Sequence, residues 1–105
     1  MSRSSRHSSI APVHPAEIIL DGLSATGISK AELARGLGIS RNTLYNLLDQ
    51  KQGVTPEMAL RLQAVWGSTA HTWLNLQMAH DLWKAQKKVD TGKLKRITAR
   101  EPKAA

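Results

Sequence analysis

The chain has 105 residues, no cysteine, no phenylalanine, and a net charge of +7 from 15 Lys and Arg against 8 Asp and Glu. That length suits one compact domain, and the missing cysteines exclude disulfide scaffolds, thiolate metal sites and cysteine nucleophiles. No apolar run approaches the roughly 20 residues of a membrane span, and the start MSRSSRHSSIAPVHP lacks the apolar stretch of a signal peptide, so the expectation is a soluble, cytoplasmic protein with no membrane partner.

Residues 1–13 are Ser-rich with little to bury and read as a disordered leader. Structure is expected from His14-Pro15, because proline suits the first helical position and Glu17 follows where the helix dipole favours an anion. Ile18, Ile19, Leu20 and Leu23 give this helix an apolar face, and Gly27 ends it. Ser29-Lys30-Ala31-Glu32 is a capping box that opens a second helix at about 30–36, with Ala31, Leu33, Ala34 and Leu37 turned inward. Ser40 caps a third helix over 41–49 that buries Leu44, Leu47 and Leu48. After a break at Gly53, Thr55-Pro56 starts a fourth helix with Met58, Leu60, Leu62, Val65 and Trp66 as its apolar residues and Gly67 as its stop. Thr69 caps a fifth helix running to Lys84 or a little beyond. No strand alternation of useful length occurs, so the fold class is all-α, a compact five-helix bundle over residues 14–87.

Charge is unevenly spread. Residues 15–83 carry five basic residues against six acidic ones, whereas residues 84–105 carry eight basic residues against Asp90 and Glu101. The globular part is nearly neutral, and residues 88–105 read as a basic tail, either solvated disorder or an arm for an acidic partner.

The stretch LARGLGISRNTLYNLL carries the functional signal. Ala34 is small enough for two helices to cross closely, and Gly38 tolerates the positive φ of a tight turn, so residues 29–49 read as a helix-turn-helix. Leu33, Leu37, Ile39, Leu44 and Leu47 join both helices to the core. Arg41, Asn42, Tyr45 and Asn46 remain on the outer face of the third helix. Arg41 can pair with guanine, Asn42 or Asn46 with adenine, and Tyr45 can meet a thymine methyl or a phosphate. Ser29, Lys30, Ser40 and Lys51 stand where phosphate contacts flank a recognition helix. The competing reading of this corner is a helical packing motif that touches no DNA.

HPAEIIL (14–20), SKAELARGLGISRNTLYNLLDQKQGVTPEMALRLQAVWG (29–67) and TWLNLQMAHDLW (72–83) resemble HigA-type addiction-module antitoxins, within the phage-repressor-like (Xre) helix-turn-helix class. The resemblance implies a homodimer that binds double-stranded operator DNA, represses its own operon and neutralises a RelE-like mRNA-cleaving toxin. Its recognition-helix positions fall on Ser40, Arg41, Asn42, Tyr45 and Asn46.

The fifth helix carries two apolar stripes, Trp73, Leu76 and Trp83, and Leu74, Met78 and Leu82. One can pack on the bundle while Leu74, Met78 and Leu82 meet their copies across a two-fold axis; the competing reading is a helix buried on both sides. His71 and His80, nine residues apart, lack a third ligand, and no Ser, His and Asp bracket a nucleophile. No metal, no cofactor and no enzymatic activity are expected. The alternatives to an antitoxin are a stand-alone transcriptional repressor and an adaptor for an acidic protein or RNA.

Overall fold

The computed structural model describes residues 11–98. Five α-helices follow in order: α1 (Pro15–Thr26), α2 (Lys30–Leu37), α3 (Arg41–Leu48), α4 (Pro56–Trp66) and α5 (Ala70–Lys88), then a single 3-10 turn at Thr91–Lys93. Among the described residues there is no strand, and no helix is long and apolar enough to cross a membrane. The all-α, five-helix architecture matches the expectation.

Each helix starts on a side chain that accepts a backbone amide. Ser29, Ser40, Thr55 and Thr69 do so through hydroxyls, as anticipated for the second to fifth helices. The first helix uses a histidine: His14 Nδ1 accepts from Ala16 N–H at 2.9 Å, and the Glu17 carboxylate accepts from His14 N–H at 3.3 Å. An imidazole nitrogen can serve as a cap only while unprotonated, so the start of α1 rests on neutral His14.

The core joins Ile19 and Leu23 of α1, Leu33, Ala34 and Leu37 of α2, and Leu44, Leu47 and Leu48 of α3 to Val54, Met58, Ala59 and Leu62 around α4 and Trp73 of α5. Some apolar residues assigned to inward faces point outward. Ile18 and Leu20 on α1 and Leu60 and Val65 on α4 are exposed, and Ala31 is half-buried. At 100° per residue a short helix buries a narrow stripe, Ala16–Ile19–Leu23 on α1 and Met58–Ala59–Leu62 on α4, and neighbours of that stripe fall off its edge. Trp66 is half-buried, and its ring lies where a Cβ on Gly22 would come within 3.0 Å, so a glycine in mid-helix on α1 makes room for the end of α4.

Candidate nucleic-acid interface

The α2–turn–α3 corner is built by local hydrogen bonds. Glu32 N–H donates to Ser29 Oγ at 3.1 Å, and the Glu32 carboxylate accepts from Ser29 N–H at 2.9 Å. Hydrogen bonding of the carboxylate by Ser29, its backbone N–H first and then its side chain, holds the Glu32 carboxyl below its usual value. The far end of α2 is a Schellman motif: Gly38 has φ +73°, its N–H donates to Arg35 C=O at 3.1 Å, and Ile39 N–H donates to Ala34 C=O at 3.0 Å. Two residues later Ser40 Oγ accepts from Thr43 N–H at 3.0 Å and opens α3. The chain therefore reverses from one helix into the next over Gly38-Ile39-Ser40, with Ile39 packed against the core.

On α3 the buried side is Leu44, Leu47 and Leu48, which turns Arg41, Asn42 and Tyr45 to solvent as one contiguous patch. Asn46 is half-buried at the edge of this patch, and its C=O accepts from Lys51 N–H at 2.8 Å in the turn that closes the helix. Lys30, at the start of α2, places its ammonium 5.6 Å from the centre of the Tyr45 ring, which brings the two helix faces together. Ser29, Ser40 and Lys51 are exposed around the same patch. The Ser40 hydroxyl also donates to Thr43 Oγ1 at 2.9 Å.

Two polar residues that sequence reading passed over position this patch. Arg61 on α4 donates from Nη1 to Leu37 C=O at 2.7 Å and to Gly38 C=O at 3.4 Å, while Nη2 meets Glu57 at 3.1 Å. It satisfies carbonyls left open at the end of α2 and ties the turn to α4. Gln77 on α5 is buried; its Oε1 accepts from Val54 N–H at 2.7 Å, and its Nε2 donates to Asp81 at 3.0 Å. Gln77 thereby pins the α3–α4 loop onto α5. A polar residue in register with the apolar stripe was the available signal, since Arg61 stands three residues after Met58 and Gln77 four residues after Trp73.

That second contact changes the description of α5. Its buried stripe is Trp73, Gln77 and His80, not Trp73, Leu76 and Trp83; Leu76 and Trp83 are half-buried. His14 and His80 meet edge to face at 4.7 Å, and burial, then the His80 ring, lowers the His14 pKa against the opposing pull of Asp81 and Glu17. Of the residues assigned to a two-fold contact, Leu74 is half-buried against the core, whereas Met78 is 60% and Leu82 56% exposed. The three line one side of an open groove with Val54 and Ala85.

Residues 16–50, which cover α1 to α3, match the family described as bacterial regulatory protein, Fis family. The chain is 42% identical over 83 residues to the HTH-type transcriptional regulator YddM of Escherichia coli, covering 79% of this chain and 88% of that protein. It is 40% identical over 74 residues to antitoxin HigA-1 of Vibrio cholerae, covering 69% of each chain. Among solved structures, antitoxin GraA superposes with a TM-score of 0.78 at 38% identity, over 84% of this chain and 99% of that one. The same antitoxin in complex with its operator gives 0.72 at 38% identity, over 86% of this chain and 95% of that one.

Proposed function

This chain belongs to the HigA-type antitoxin family of helix-turn-helix regulators, and from that membership we propose that it binds operator DNA as a homodimer, represses its own operon and neutralises a RelE-like mRNA-cleaving toxin. The carrying observation is the joint exposure of Arg41, Asn42 and Tyr45 on a helix fixed at both ends, on a fold that GraA uses in complex with its operator. Base reading belongs to Arg41, Asn42, Tyr45 and Asn46, and Ser29, Lys30, Ser40 and Lys51 meet phosphates around them. The homodimer forms through Met78 and Leu82, with Leu74 behind them. The likeness to YddM, described only as a transcriptional regulator, favours a second reading: a stand-alone repressor with no toxin partner. A short basic RelE-like reading frame abutting the gene, whose product is neutralised on co-expression, decides for the antitoxin; its absence decides for the repressor.

DNA reading itself is tested on Arg41. Arg41→Ala is expected to weaken operator binding by about 1–3 kcal/mol and to relax preference at one base pair. Lys51→Ala should weaken binding to every sequence alike. Retention of both affinity and base preference by Arg41→Ala would overturn the docking of α3.

A further inference from the structure

We propose that the cationic segment over residues 84–98 is a DNA-backbone arm that grips the phosphates flanking the bases read by α3, an assignment that rests on the operator-binding reading above. The segment carries Lys84, Lys87, Lys88, Lys93, Lys95 and Arg96 against Asp90 alone, and every one of its residues is exposed. Helix stabilisation accounts for only some of these cations. Lys87 and Lys88 lie in the last turn of α5, where the dipole favours positive charge, and Lys87 stands 4.0 Å over the Trp83 ring. Lys93 faces Asp90 at 4.0 Å across the 3-10 turn that Asp90 caps through Gly92 N–H. Among the described residues Lys88, Lys95 and Arg96 have no ion-pair partner. Leu94 and Ile97, 68% and 94% exposed, do not dock the segment on the bundle.

Beyond Lys30 and Lys51, the bundle itself supplies little of the electrostatic part of DNA binding. Five basic residues face six acidic ones over residues 15–83, so the bundle that carries α3 has almost no net attraction for a duplex. Duplex DNA carries about one charge per 1.7 Å, and release of its counterions by Lys and Arg supplies most sequence-independent affinity. The arm holds the charge that this needs. Fully extended, with the 3-10 turn at Thr91–Lys93 opened, residues 89–98 would span at most about 33–36 Å beyond the end of α5. Single-stranded RNA is a poorer fit, because such ligands are held by stacking on aromatic side chains and residues 84–105 contain none.

The test uses the full-length chain with Lys88→Gln, Lys95→Gln and Arg96→Gln combined. Fluorescence anisotropy measures Kd for an operator duplex and a scrambled duplex between about 50 and 200 mM salt, and circular dichroism confirms that helix content is retained. The expected result is weaker binding to both duplexes by the same factor. The slope of log K against log salt becomes shallower by about 1–3 per protomer, at about 0.9 per lost phosphate contact, and the operator-to-scrambled ratio stays unchanged. An unchanged slope on both duplexes overturns the arm, and so does a larger arm dependence on poly-U RNA or polyglutamate than on duplex. The two readings fail separately. A wild-type chain without operator preference sinks the operator reading while a charge-dependent slope still supports the arm. Operator preference with an arm-independent slope sinks the arm alone.

Discussion

Gln77 and Gly53 make a coupled pair whose energetics can be worked from the geometry. Gln77 Oε1 is the acceptor for the buried Val54 N–H, and a Cβ on Gly53 would come 2.6 Å from Gln77 Cδ. Gln77→Ala removes that acceptor and leaves a backbone donor buried, which costs about 1–3 kcal/mol. Gly53→Ala forces the amide group out of the position where it bonds Val54, an overpacking penalty of about 1–3 kcal/mol. In the double variant the offending side chain is gone and the new methyl enters the space it vacated. The two losses should therefore fall short of adding, with a coupling of about 1 kcal/mol or more. Each single variant should lower Tm by about 4–8 °C per kcal/mol in a domain of this size. Urea unfolding followed by circular dichroism at constant m gives all three values. Additivity of the two substitutions, or a Gln77→Ala loss below about 0.5 kcal/mol, would refute the role of Gln77 as the clamp of the α3–α4 loop.

The cap of α1 makes stability depend on pH. The His14 pKa is lowered in the folded chain by burial and by His80, so below about 6.5 the unfolded chain takes up the proton more readily than the folded one. Stability is fully present above that pH, falls as pH drops below it, and stops falling below the folded pKa. His14→Asn, which keeps a capping oxygen, should flatten this dependence in melts at pH 5 to 8, and an unaltered profile would place the sensitivity elsewhere. The proposed two-fold contact is probed by Met78→Glu with Leu82→Glu, since both side chains are more than half exposed and Leu74 is not. This double variant should sediment as a folded monomer and lose tight binding to a palindromic duplex, because like charges would meet across the axis; a variant that stays dimeric places the interface elsewhere.

Interactions within about four residues were legible in the sequence, and they set the elements. Ser29 with Glu32, Ser40, Thr55-Pro56 and Thr69 each mark a helix start, and Gly27, Gly38 and Gly67 each take the positive φ that ends a helix. Both kinds of signal depend only on the backbone amides and carbonyls that a helix terminus leaves open, so no knowledge of the partner helices is needed to read them. The outward turn of Arg41, Asn42 and Tyr45 followed as well, because Leu44, Leu47 and Leu48 left α3 one face to bury. Tertiary structure alone decided the contacts that hold this patch in place. Arg61 reaches Leu37 C=O across 24 residues of sequence, Gln77 reaches Val54 across 23, and the Trp66 ring rests on Gly22. Periodicity assigns a polar side chain to water by default, and the apolar pattern of α5 did not by itself reveal that Gln77 and His80 are buried. Burial of Gln77 is offset by the Val54 amide that meets it, a partner supplied only by folding of the chain around it.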